Sequence, residues 1–199
     1  PKDMPTKQAA AAVGQCELMY TYDKLFNEYN HTVAQVLLTG EDVHSDQRSR
    51  NMRNTIFRLL ELGALPVINE NDTVATDEVG VENTIGENDT LSAIVAAAVN
   101  ADLLILLSDI DGLYDGDPHR DPSARLIPVV PSVDEEIMAL GGGSGSALGT
   151  GGMATKLKAA CIVTAAGCEM VIANGAKPAL LYDIVAGKSV GTRFLAKEK

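Results

Sequence analysis

Short aliphatic runs alternate along this chain with longer stretches of helical period, and that alternation admits few architectures. Residues 33–38, 65–68, 102–107, 170–173 and 190–194 have the length and the β-branched or leucine-rich character of strands. Between them, residues 9 to about 29, 45–62, 91–100, 135–140, 153–166 and 180–186 read as helices. The stretch 45–62 shows the pattern best: Met52, Ile56, Leu59 and Leu60 fall on one helical face, and Gly63 supplies the stop just beyond it. The run 102–107 is almost wholly Leu and Ile, which predicts a central parallel strand covered on both faces. Strands separated by helices imply βαβ units, so the fold class is α/β with a mainly parallel sheet.

Composition narrows the function classes. With 199 residues, 46% hydrophobic and 22% charged, the chain suits a single packed domain over 1–199 and not disorder. Its longest apolar run, 93–99, is far short of the ~20 residues of a membrane span. A net charge of −11 disfavours nucleic acid and anionic membrane surfaces as partners. Cys16, Cys161 and Cys168 fit neither a disulfide framework nor a zinc spacing, and no basic-then-apolar leader opens the chain, so a cytoplasmic location is expected. The first residue is Pro1 and not Met, which suggests a fragment whose beginning is missing.

Four segments concentrate polar groups where strands end or helices begin, the places where open α/β sheets hold ligands. Asn69-Glu70-Asn71-Asp72 follows directly on the strand 65–68 and offers both acceptors for an ammonium and donors for a carboxylate, though Asn and Asp also make ordinary turns. Gly86-Glu87-Asn88-Asp89-Thr90 opens the Ala-rich helix with good capping residues. A carboxylate such as Asp89 there is favoured by the positive helix end and suited to holding cationic side chains. Ser108-Asp109-Ile110-Asp111-Gly112-Leu113-Tyr114-Asp115-Gly116-Asp117 is an acidic loop, but Leu113 stands where a calcium-loop ligand is needed. Last, Gly149-Thr150-Gly151-Gly152-Met153-Ala154-Thr155-Lys156 runs from a glycine-rich patch into a helix. Glycines let backbone N–H groups approach phosphate oxygens, the helix start adds its positive end, and Lys156 adds a full charge one turn in.

Two look-alikes fail. Gly187-Lys188-Ser189 resembles the end of a Walker A loop, but Tyr182 occupies the place of its first glycine. Gly149 to Ala154 matches G-x-G-x-x-A, yet a Gly/Ser loop precedes it instead of a strand.

Taken together and in this order, the four segments resemble the amino acid kinase family. Asn69-Glu70-Asn71-Asp72-Thr73-Val74-Ala75, the Asn88-Asp89 helix start, Asp109-x-Asp111-Gly112-Leu113-Tyr114 and Gly149 to Lys156 carry the likeness, which reaches Gly191-Thr192. Within the family the set is nearest to members that use ATP to phosphorylate the γ-carboxylate of L-glutamate, opening proline biosynthesis. The resemblance implies a three-layer α/β/α sandwich lacking its N-terminal strands, with no RNA-binding-like domain after Lys199. It implies that Asn69, Asp72 and Asn88 hold the substrate. Ser108, Asp109, Thr150, Gly151, Gly152, Met153, Ala154, Thr155 and Lys156 bind ATP. Lys156 stabilises the transferring phosphoryl group and Asp89 organises the site. It further implies Mg²⁺ as cofactor with no protein residue singled out as its ligand, proline as a feedback inhibitor, and a homo-oligomer (dimer or tetramer). The alternatives are a sister kinase acting on aspartate, N-acetylglutamate or a nucleoside monophosphate, and a catalytically inactive nucleotide-binding fragment. Glu87 stands where the family more often has Asp.

Overall fold

A computed structural model describes residues 3–74, 87–118, 120–142 and 152–197. Its internal contacts divide the chain into two compact units, 1–88 and 89–199.

The first unit holds α1 (Met4–Asn27), β1 (Thr32–Leu38), α2 (Gly40–His44), α3 (Asp46–Glu61) and β2 (Ala64–Glu70). Asp3 caps α1, accepting the Thr6 amide at 3.0 Å and its hydroxyl at 2.8 Å. α3 turns Met52 and Ile56 inward and ends where Gly63 takes φ 74°. That turn delivers β2 alongside β1 in parallel register, from Thr32 opposite Ala64 to Leu38 opposite Glu70. The second strand thus runs two residues beyond the aliphatic stretch and carries Asn69 and Glu70 in its ladder. The short helix α2 lacks a sequence signature of its own. It is pinned at its start by Asp42, whose Oδ2 accepts the Thr39 amide at 2.8 Å and the Thr39 hydroxyl at 2.7 Å.

The second unit contains nearly all of α4 (Asn88–Ala98), then β3 (Leu103–Ser108), β4 (Val129–Val130), α5 (Glu135–Leu140), α6 (Met153–Ala165), β5 (Glu169–Asn174), α7 (Leu180–Val185) and β6 (Thr192–Phe194). The strand order is β3-β5-β6-β4: β3 and β4 pair in parallel with β5 and β6, while β5 and β6 are antiparallel. Side chains alternate across this sheet as the two-residue period requires. Leu104, Leu106, Met170 and Ile172 pack with Ala93 and Ala96 of α4 and Leu157, Ala160 and Val163 of α6. Leu103, Ile105, Val171 and Ala173 face the opposite way, against Leu180 and Ile184 of α7. Helices therefore cover both faces, giving the α/β/α layering. β5 and β6 are the interior strands of this order, β5 with its four middle residues buried; among the described residues β3 lies at the end of the order and leaves Leu107 45% exposed. An all-aliphatic run marks coverage from both faces, not a central place in the sheet.

The last strand begins two residues later than its apolar run suggests, because Gly191 takes φ 62° beside the Ile172 carbonyl, where a Cβ would collide. Directly after it, the buried Thr192 hydroxyl accepts the Leu113 N–H at 2.8 Å and donates to the Ile127 carbonyl at 2.6 Å. One side chain on β6 thereby ties down both arms of the acidic loop between β3 and β4. Among the described residues, no helix is long and apolar enough to cross a membrane.

Candidate functional site

The most unusual group of side chains in the second unit joins the starts of two helices. Asp89 lies in the first turn of α4 and Lys156 in the first turn of α6, and Lys156 Nζ sits 3.1 Å from Asp89 Oδ2. The same carboxylate oxygen is 2.7 Å from Thr155 Oγ1, which is also 2.7 Å from the Gly152 carbonyl. The Lys156 side chain is only 11% exposed and that of Asp89 18%. Desolvating an ion pair costs about as much as the pair returns, so such a pair contributes little net stability. Its presence makes better sense as positioning: an ammonium has three N–H donors, and one spent on Asp89 leaves two for another anion. α6 has no side-chain cap. Gly152 is its N-cap in extended conformation, followed by Met153 and Ala154, so the helix start exposes backbone donors as well as the lysine. Thr150 and Gly151 lie outside the described residues.

A second group forms where the parallel strands β3 and β5 end together. Ser108 pairs in register with Asn174, and the Ser108 hydroxyl donates to Asp109 Oδ1 at 3.1 Å. Asn174 Nδ2 donates to Asp111 Oδ1 at 2.8 Å, and the Gly175 N–H donates to the Ser108 carbonyl at 2.7 Å. Burial pushes the Tyr114 phenol up, helped by the neighbouring Asp111 charge. Asn174 was not singled out by sequence. The signal available was an Asn-Gly pair ending the strand beside the one that carries Ser108 and Asp109.

The first unit carries a third group, at the end of β2. The chain turns there through Asn71, whose N–H donates to the Leu38 carbonyl at 2.7 Å and whose side chain accepts the Thr73 hydroxyl. A small cleft is lined by Ala11, Gln15, Leu37, Glu70, Asn71, Asp72 and Thr73, with Asp72 exposed. Asn69 Oδ1 accepts the Glu70 N–H at 3.0 Å and its Nδ2 donates to Gln15 Oε1 at 3.0 Å, so its amide faces Gln15. Asn88 is exposed at the first position of α4. Gln15 was also missed by sequence, since it stands in an Ala-rich helix with nothing local to mark it.

Comparison with known proteins places the chain as a whole. Residues 2–174 match the profile described as the amino acid kinase family. Glutamate 5-kinase of Clostridium tetani is 54% identical over 196 residues, which is 98% of this chain and 72% of that protein. Glutamate 5-kinase of Carboxydothermus hydrogenoformans is also 54% identical over all of this chain but only 52% of its own length. Among solved structures, carbamate kinase from Giardia lamblia bound to AMP-PNP superposes with a TM-score of 0.63 at 17% identity, over 96% of this chain and 80% of that one. An isopentenyl phosphate kinase superposes at 0.62 with 21% identity, over 90% and 66%. The structural likeness carries the fold and the family profile with the sequence likeness carries the lineage: the chain belongs to the amino acid kinase family.

Proposed function

We propose that this chain carries out the reaction of its glutamate 5-kinase relatives: ATP-dependent phosphorylation of the L-glutamate γ-carboxylate to γ-glutamyl phosphate, the entry to proline biosynthesis. In that reaction a γ-carboxylate oxygen forms a bond to the γ-phosphorus of ATP, the bond to the β–γ bridging oxygen breaks, and ADP leaves. Nucleophile and electrophile are both anionic, so positioning and charge neutralisation are the main requirements. The observation that carries the reading is the near-buried Lys156 held by Asp89 at 3.1 Å beside an uncapped helix start.

Each residue has a role that its place allows. Lys156 directs its remaining N–H donors at the transferring phosphoryl group, with Asp89 fixing the direction of the side chain. Met153 and Ala154 present backbone donors to the triphosphate beside Gly152 and Thr155, and Thr150 and Gly151 join them through the resemblance. Ser108 and Asp109 serve the nucleotide at the ends of β3 and β5. In the first unit Asp72 offers its carboxylate to the substrate α-ammonium, with Asn69 and Asn88 as further substrate residues. Magnesium neutralises phosphate charge when bound. In nucleotide sites of this kind the ion keeps several waters and is bound largely through substrate phosphates, so no protein ligand is assigned to it. The family match crosses from one compact unit into the other, which supports reading both as one kinase domain. A homo-oligomer, inhibition by proline and a cytoplasmic location belong to the same reading through the resemblance.

The test is ADP release by the intact protein with L-glutamate, L-aspartate, N-acetyl-L-glutamate and nucleoside monophosphates, beside Lys156→Ala. Preference for glutamate and a turnover lower by ~10²–10³ in the variant are expected, the range for losing one preorganised transition-state contact. Wild-type turnover in the variant, or preference for another acceptor, overturns it.

A further inference from the structure

We propose that Gln15 of α1 is an additional substrate-binding residue, donating through Nε2 to an acceptor oxygen of the bound amino acid. The inference rests on the proposed amino acid kinase reaction. The orientation of the glutamine amide follows from the groups around it. The Glu70 backbone N–H can only donate, so the Asn69 atom it meets at 3.0 Å is Oδ1. That leaves Asn69 Nδ2 facing Gln15, and a donor must meet an acceptor, so the Gln15 atom at 3.0 Å is Oε1. The remaining Gln15 group is therefore Nε2. It is shut off from solvent, with no acceptor among the described residues.

A buried amide donor without a partner is costly, and native proteins keep few of them. This one belongs to a residue lining the cleft formed with Glu70, Asn71, Asp72 and Thr73 at the end of β2. The terminal torsion of a glutamine is broad, so the amide can turn to direct Nε2 at a ligand in the cleft. The cleft then offers two complementary features of one ligand class. Asp72 is an anion suited to an ammonium, and Gln15 is a neutral donor suited to a carboxylate or carbonyl oxygen. An amino acid carries both. The fixed amide also selects against a ligand that brings a second N–H donor to that position, because two donors would then face each other.

Two variants of the intact protein separate this role from a structural one. Gln15→Glu keeps an oxygen for Asn69 and replaces the donor with a negatively charged acceptor. Gln15→Met keeps the bulk and removes both polar atoms. Each is assayed with whichever of L-glutamate, L-aspartate and N-acetyl-L-glutamate the wild type turns over. The expected result is a KM for that amino acid raised about tenfold to a hundredfold, with KM for ATP unchanged, as for a hydrogen bond to a charged group. Thermal melting identifies a variant that fails to fold, in which case the other decides. An unchanged amino acid KM in folded protein, or equal rises in both KM values, overturns the role of Gln15. Wild-type preference for aspartate or N-acetylglutamate overturns the glutamate reading while leaving Gln15 tested on the substrate found. Turnover of none of the three overturns both.

Discussion

Thr155 Oγ1 and Asp89 Oδ2 lie 2.7 Å apart, on the oxygen that also receives Lys156 Nζ at 3.1 Å. The threonine hydroxyl has one proton and two acceptors at equal distance, Asp89 and the Gly152 carbonyl. It is placed to orient the carboxylate that holds the lysine, one step removed from the proposed phosphoryl contact. Thr155→Val is therefore expected to lower kcat by about tenfold, the worth of one hydrogen bond to a charged group, with KM for glutamate unchanged. Thr155→Ser restores it. Steady-state rates for the pair decide the matter: wild-type kcat in the valine variant removes the positioning role.

Asp72 is exposed on the cleft at the end of β2 and is the substrate-facing carboxylate of the proposed site. Asp72→Ala should raise KM for glutamate far more than KM for ATP, by roughly tenfold or more for a lost charge-assisted contact. Equal changes in the two constants would contradict the assignment.

Thr192 is fully buried, and its hydroxyl satisfies the Leu113 N–H and the Ile127 carbonyl at once. Valine has the same shape without the polar atom and strands two buried backbone groups. Thr192→Val is expected to cost about 1–3 kcal/mol of unfolding free energy in urea titration, whereas Thr192→Ser costs less. A valine variant as stable as the wild type would show that the loop finds other partners.

Asp42 supplies a pH dependence. Partial burial pushes its carboxyl up, but the Thr39 hydroxyl and amide and the Arg48 guanidinium at 2.9 Å outweigh it, leaving a net downward shift. A folded value below the unfolded one, about 3.9, makes the contribution complete above that pH and lost as pH falls through the folded value. Asp42→Asn is thus expected to be less stable than wild type near neutrality, with the gap closing below about pH 4. Thermal melts between pH 3 and 7 measure it, and a gap independent of pH would exclude the carboxylate as its source.

The elements were legible in the sequence wherever hydrophobic period was strong. The amphipathic face of α3 and the aliphatic cores of β1, β2, β3 and β5 appear within a few residues of where spacing puts them. Sheet order was not legible, because Leu103–Ser108 owes its composition to helices on both faces while sitting at the end of the order. β4 escaped notice because two valines between prolines carry no period. Of the candidate site, the polar character of the strand ends and helix starts was readable, and the roles of individual residues came from resemblance. That Asn69 turns its amide onto Gln15 depends on where α1 lies against β1 and β2, which no local pattern encodes.

The Thr192 clasp also sets an order of events during synthesis. Its bond to Leu113 spans 79 positions, so the acidic loop acquires that anchor only once residue 192 has left the ribosome. Until then the Leu113 N–H and the Ile127 carbonyl wait for the partner that joins them, so an aspartate-rich segment takes its final course only after a strand far downstream is in place.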